Sequence, residues 1–264
     1  MRCESRPTLL GVCTLGRQTD LQAALQVLEL PIVCEHLGER LVHRHVGESL
    51  DGRKAVPSLL QLGGRSDDAL GVCVALHELL QAPFSLHQTL CRLIDEETEF
   101  ARAGKEAHII LKMNSMTEPR IIQRLYLAGQ AGVKIDLIIR GICCLRPGIK
   151  GMSDNISVRS VVGRFLEHTR IYHFHANGEG KTFCASADWM GRNFFRRVET
   201  CWPIRERRLA DRVVEECLNT YLRDNSQAWL LNSDASYTKA VPGPDEASFS
   251  AQEYLLDSLA EHVD

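Results

Sequence analysis

Residues 106–139 constrain this chain more than any other stretch, because two strand-length apolar runs flank one helical segment there. Glu106-Ala107-His108-Ile109-Ile110-Leu111-Lys112 is short and nearly continuous in apolar residues, as a buried strand requires. Thr117-Glu118-Pro119 opens a helix with proline in its first turn, where no intrahelical bond is lost, and the pattern continues to about Ala131. Val133 to Ile139 is a second strand, apolar at most positions. Strand, helix and strand in this order make a βαβ unit, which predicts an α/β fold with parallel strands.

The flanking chain extends that reading. Leu86, Leu90, Leu93 and Ile94 recur at helical spacing between Ser85 and Ala103, with Asp95, Glu96, Glu97 and Glu99 mostly off the stripe, and Gly104 ends the helix. Further strands are expected at Ser157–Val162, Ile171–Phe174, Thr182–Ala185 and Val198–Pro203, and a helix from Arg207 to Leu222. Ala228 to Ala240 reads as a hairpin turning near Asp234-Ala235-Ser236, and Ser250-Ala251-Gln252-Glu253 has capping-box spacing for a final helix to about Glu261.

The chain changes character near residue 80. All sixteen aromatic residues lie at or after Phe84. The earlier part is leucine-rich, with a helix readable over Thr19–Leu28 behind Asp20, and it carries no chemical motif. Two regions follow: residues 1–75, atypical and of undefined fold, and residues 76–264, the α/β domain.

No run of roughly 18 apolar residues is present, so a membrane span is not expected. Met1-Arg2-Cys3-Glu4 has no apolar core behind it and does not read as a secretory signal. Ten cysteines without such a signal, including the adjacent Cys143-Cys144, fit a reducing, cytoplasmic setting. No Cys-x-x-Cys occurs, so no structural metal site is expected. A net charge of −3 argues against general nucleic-acid binding. The distribution says more than the sum. Arg140, Arg146, Lys150, Arg159, Arg164 and Arg170 face only Asp154 and Glu167 in the same stretch, and a second basic group runs through Arg192, Arg196, Arg197, Arg205, Arg207 and Arg208. Such a concentration points to an anion site; a solvated charged face is the alternative.

Arg140 follows the second strand of the βαβ unit, where α/β sheets gather ligand groups. Its planar fork can take two phosphate oxygens at once; pairing with a carboxylate such as Asp136 is the competing role. His168, in the chain's one His-x-Arg, can relay a proton or carry a phosphoryl group, with Arg170 on its side of an extended segment. Arg164 precedes them. Ser186, Asp188 and Asn193 supply a hydroxyl, a carboxylate and an amide that could orient the imidazole and a phosphate, although Asp188 could equally serve a turn or cap. His173 and His175 alternate along a strand and lack a third metal ligand at suitable spacing, so they read as strand residues. Gly178-Glu179-Gly180-Lys181-Thr182 imitates the end of a phosphate-binding loop, but His175 stands where the first glycine belongs and a strand follows, so it reads as a hairpin turn.

Taken together, Ala82–Leu86, Ile110–Ser115, Val133–Pro147, Gly163–Tyr172, Ser186–Asn193 and Ser248–Glu253 resemble the C-terminal region of bacterial-type polyphosphate kinase, a likeness running from about Leu76 to Ala260. The resemblance implies a phospholipase-D-like mixed sheet flanked by helices, and reversible transfer of the terminal phosphate of ATP to inorganic polyphosphate. It also implies Mg²⁺ with the nucleotide, a homo-oligomer, and contacts from Arg140 and His168 to the nucleotide's phosphates. The chain departs from the family in one respect. The histidine that the family phosphorylates belongs to a His-x-Lys motif in a preceding half, and this sequence contains no His-x-Lys. The family's amino-terminal and helical domains have no counterpart here either, and residues 1–75 resemble none of it, as a foreign leader or a frame-shifted reading would.

Three functions compete. The first is a fragment-like polyphosphate kinase subunit with His168 as proton relay or transition-state stabiliser, incomplete without a chain supplying the other half. The second is an inactive remnant that binds polyphosphate, ATP or ADP. The third is a phosphodiesterase or nuclease pairing two copies of His168, against which Arg170 in place of lysine counts.

Overall fold

The structure is a computed structural model that describes residues 79–260. The 1–75 region and its expected helix lie outside the described residues.

The described chain opens with β1 (Leu80–Ala82), α1 (Leu86–Arg102), β2 (His108–Met113), α2 (Pro119–Gln130), β3 (Lys134–Ile139), β4 (Ile156–Val161), β5 (Ile171–Phe174) and β6 (Lys181–Ala185). It continues through α3 (Gly191–Arg196), β7 (Glu199–Pro203) and α4 (Arg207–Val214). A π-helical stretch (Glu215–Asn219) then leads to α5 (Thr220–Arg223), the hairpin β8 (Ala228–Leu231) and β9 (Tyr237–Lys239), and α6 (Ala251–Ala260). Among the described residues the strands form one mixed sheet in the order β1-β7-β6-β5-β2-β3-β4-β8-β9. β3 runs parallel to both β2 and β4, and every other neighbouring pair is antiparallel. The α/β expectation holds, and the mixed sheet is flanked by helices as the resemblance implies.

Side chains alternate across a strand, and both faces of this sheet are covered. Ile109, Leu111, Met113, Ile135, Leu137 and Ile139 turn to one face, against Leu86, Leu90 and Ile94 of α1 and Ile121 and Leu125 of α2. Ile110 and Ile138 turn to the other, with Val213, Cys217, Leu218, Tyr221 and Ala251. That two-sided burial is why β2 and β3 read as apolar runs and not as alternating strands.

Local signals placed the helix ends. Gly104, at φ +69°, follows α1, and the amides of Gly104 and Lys105 return to the carbonyls of Ala101 and Phe100, both at 2.9 Å. Glu118 caps α2 by accepting from the Ile121 amide at 2.7 Å, with Pro119 directly after it. The helix expected from Arg207 to Leu222 is present and runs to Arg223, with a π-helical stretch inside it. The wider turn at Glu215–Asn219, where the Thr220 amide reaches the Glu215 carbonyl, keeps Val213, Cys217, Leu218 and Tyr221 on the buried side together. The three-residue edge strand β1 was too short to be read.

The topology prepares a site. β2, β3, β4 and β6 run the same way, so Asn114, Arg140, Val162 and Ser186 leave the sheet at one edge. β5 and β7 are antiparallel to β6, so the segment carrying His168 and Arg170, and the start of β7 at Glu199, arrive at that same edge.

Candidate functional site

At this edge the ends of β2 and β3 are drawn together. The Gly141 amide donates to the Asn114 carbonyl at 2.8 Å, and a Cβ at Gly141 would stand 2.7 Å from that oxygen. Glycine is required there because any side chain would push the two strand ends apart.

Arg140 is half-buried. Its Nε donates to Asn114 Oδ1 at 2.6 Å, and its Nη2 lies 3.2 Å from His168 Nδ1. A guanidinium only donates, so His168 Nδ1 accepts, and the neutral imidazole carries its hydrogen on Nε2. Burial, with Arg170 nearby, pulls the Arg140 pKa below its ordinary value, while Asp188 and Glu167 pull it back. It remains a cation at any physiological pH. Asp136, the alternative partner for Arg140, is engaged elsewhere: with His108 Nε2 at 2.7 Å, the Ser157 hydroxyl at 2.6 Å and Lys134 at 3.3 Å.

Asp136 carries a prediction of its own. Burial alone would raise its pKa, but His108, Ser157 and Lys134 together hold it at about 2 against an ordinary 3.8. A carboxylate whose folded pKa is depressed stabilises above its unfolded pKa and ceases to as pH falls through the folded one. Asp136 should therefore contribute about 2 kcal/mol above pH 4, lost on going to pH 2. Denaturant unfolding of the chain beside Asp136→Asn should show the two stability curves converging across that interval; parallel curves would refute the assignment.

Arg170 and Asp188 are buried partners. Arg170 Nε and Nη2 lie 3.3 Å from Asp188 Oδ1 and Oδ2, and Nη1 donates to the His168 carbonyl at 3.0 Å. Asp188 Oδ1 also accepts from the amides of Asn114 at 2.8 Å and Ser115 at 3.3 Å. The carboxylate thus caps the end of β2 and braces Arg170, which in turn holds the main chain of His168. Asp188 thereby bears on His168 through Arg170. Ser186 and Asn193 meet at another group altogether: the Ser186 hydroxyl and Asn193 Nδ2, the latter at 2.7 Å, donate to the Glu199 carboxylate. Burial raises the Glu199 pKa, opposed by these two donors and by Arg170 and Arg197. Arg164 is exposed and lies over the Phe165 ring, 5.5 Å from its centroid. Trp189 and Ala187, from the same Ser-Ala-Asp-Trp-Met stretch, are fully buried core residues.

The structure brings in residues that the sequence reading passed over. Lys112 is 3% exposed; its Nζ is 2.8 Å from Glu167 Oε2 and 3.3 Å from the centroid of the Tyr221 ring. The Tyr221 hydroxyl donates to Glu167 Oε1 at 3.0 Å, and Gln252 Nε2 donates to the same oxygen. Gln252 also bonds both main-chain groups of Phe165, at 2.9 and 2.8 Å. The loop leading to His168 is therefore fastened to α5 and α6. A lysine closing an otherwise apolar strand was the available signal for Lys112. Nothing local marks Glu199 or Asn114.

The clustered arginines overstate the site. Arg146 donates to the Ser233 carbonyl at 2.9 Å, and Arg159 donates to the Leu222 carbonyl, so both hold loops. His173 bonds the Thr182 hydroxyl across β5 and β6 at 2.9 Å, and burial pushes its pKa down to about 4. Among the described residues, no group of three His, Cys, Asp or Glu side chains could hold a metal ion. Gly178 and Gly180, at φ +95° and +67°, turn the chain from β5 into β6, so the Gly-Lys-Thr sequence is the end of a hairpin turn and the start of β6. No described helix is long and apolar enough to cross a membrane.

Comparisons with known proteins converge on one family. The family model described as polyphosphate kinase C-terminal domain 2 matches residues 79–252. The polyphosphate kinase of Xylella fastidiosa strain Temecula1 is 51% identical over 208 residues, covering 79% of this chain and 29% of that protein. That of Neisseria gonorrhoeae is 53% identical over 190 residues, covering 72% and 28%. Among solved structures, the polyphosphate kinase from Porphyromonas gingivalis superposes with a TM-score of 0.67 at 37% identity, over 70% of this chain and 28% of that one. The chain thus spans less than a third of the length of these relatives.

Proposed function

This chain belongs to the polyphosphate kinase family, and from that premise we propose that it supplies a phosphate-binding half for reversible transfer of the terminal phosphate of ATP to inorganic polyphosphate. The observation that carries this reading is the Arg140–His168 pair, a fixed cation bonded to an imidazole at the carboxyl end of parallel strands. In the forward direction the bond from the γ-phosphorus to its bridging oxygen breaks as a bond to the nitrogen of the phosphorylated histidine forms. That bond then breaks as one to the terminal oxygen of polyphosphate forms. Negative charge shifts onto the departing ADP and is spread over the transferred group. Arg140 neutralises that charge, and His168 donates from Nε2 or relays a proton there. Arg170, paired with Asp188, steadies His168 from behind. Arg164, exposed beside the loop, meets the polyanion farther out.

Mg²⁺ enters with the nucleotide as part of the substrate: Glu167, Asp188 and Glu199 at this edge are each held by protein donors, which leaves Arg140 and His168 to face phosphate oxygens. The chain has no His-x-Lys. We therefore assign the covalent phosphohistidine to a second histidine-bearing half that carries the His-x-Lys, and not to His168. The same absence favours, as a second reading, a module that binds polyphosphate or ATP without turnover.

The test is transfer of labelled γ-phosphate from ATP with Mg²⁺ into acid-insoluble polymer, alongside binding of tripolyphosphate. The expected result is binding by the chain, with polymer formed only when a His-x-Lys half is added and His168 is intact. Polymer made by the chain alone would overturn the division of labour; absence of tripolyphosphate binding would overturn the proposal. Arg140→Ala should weaken that binding by about tenfold to a hundredfold, the loss of one charge-assisted contact. Arg140→Lys should recover only part of it, because lysine keeps the charge but not the planar fork. Calorimetric titration of the three proteins decides it, and equal affinities would remove Arg140 from the site.

A further inference from the structure

We infer that Asn114 is a further phosphate ligand, its side-chain amide donating to the same phosphoryl group that Arg140 and His168 face. The inference rests on the phosphate-binding reading above and adds a residue to it. Asn114 stands one residue past β2 and is only 6% exposed. Its main chain is fixed at both ends: the amide donates to Asp188 Oδ1 at 2.8 Å, and the carbonyl accepts from Gly141 at 2.8 Å. Its side-chain orientation is chemically determined as well. Arg140 Nε can only donate, so the Asn114 atom 2.6 Å away is the oxygen, and the NH₂ group must point elsewhere.

That NH₂ group has no hydrogen-bond partner among the described residues, although the atom is buried. A buried donor left unpaired costs about 1–3 kcal/mol, so such groups are rare in folded proteins and call for an explanation. Position supplies one. Asn114 and His168 bind the same guanidinium, at Nε and at Nη2, so the side-chain amide that carries the unpaired donor and the imidazole flank one cation. A phosphoryl oxygen is an acceptor able to complete it. Thr169, adjoining His168, has a hydroxyl that is likewise buried and unpartnered, and it shares a small cavity with Arg140. The ligand class is a phosphate ester or anhydride, whose several acceptor oxygens serve Arg140, His168 and Asn114 together.

The experiment uses the whole chain with ¹⁵N-labelled asparagine, titrated with tripolyphosphate and followed through the side-chain amide signals, assigned with Asn114→Asp. The Asn114 NH₂ pair should shift in step with saturation. Asn114→Asp retains the oxygen that Arg140 binds but has no NH₂, and it should weaken affinity at least tenfold. If tripolyphosphate binds and Arg140→Ala weakens that binding, yet the Asn114 signals stay still, the amide serves a buried water; the inference then fails and the phosphate-binding reading stands. If the unmutated chain binds no tripolyphosphate, that reading fails and this inference with it. Should Asn114→Asp not fold, the titration of the unmutated chain decides alone.

Discussion

Asp188→Ala is expected to lower folding stability by about 3–5 kcal/mol, because it leaves a buried cation without its carboxylate. Arg170 is 8% exposed, and both nitrogens of its fork edge face Asp188. The same carboxylate accepts the amides that end β2, so its removal unpairs buried main-chain donors as well. Urea unfolding measures the loss. The double variant Asp188→Ala/Arg170→Met should recover part of it, since an apolar chain of similar length needs no counter-ion. A single-variant loss below about 1 kcal/mol would mean that Arg170 finds other compensation and that the brace behind His168 is not a structural necessity.

Glu167→Gln should cost about 3 kcal/mol, the lower end of the range for breaking a buried pair, because the Tyr221 ring still faces the Lys112 ammonium. The side chains are 3% and 11% exposed, so water cannot replace the lost charge. Glutamine preserves shape and an acceptor, which isolates the charge as the cause. Adding Lys112→Met should return most of the stability, and a thermodynamic cycle across the four proteins gives the coupling directly. A coupling near zero would show that the pair contributes nothing, leaving the Tyr221 and Gln252 bonds alone to hold the loop before His168.

Much of the architecture was legible because its causes are local. The end of α1 at Gly104, the start of α2 at Glu118-Pro119 and the turn at Gly178–Gly180 follow from backbone conformations that few other residues allow. β2 and β3 were readable because burial on both faces demands uninterrupted apolar residues. The π-helical stretch was not readable. It exists to keep Val213, Cys217, Leu218 and Tyr221 against a sheet whose position depends on strands far away in the chain. The site divides in the same way. Arg140 and His168 stood out by residue type and placement, but what Ser186, Asp188 and Asn193 do could not be inferred, because their partners Glu199, Arg170 and Asn114 come from other strands.

By itself, the sequence determined the α/β class, the order of its elements, and the presence of an arginine and a histidine at strand ends suited to phosphate. Periodicity and turn chemistry act over a few residues and need no knowledge of the rest of the chain. Only the tertiary structure decided which polar groups meet. It paired Lys112 with Glu167, Arg170 with Asp188, and Ser186 and Asn193 with Glu199, and it set Asn114 beside Arg140. Those contacts join residues 6 to 55 positions apart. The physical reason is that a polar side chain leaving water requires a partner, and the order of strands in the sheet determines which partner lies within reach.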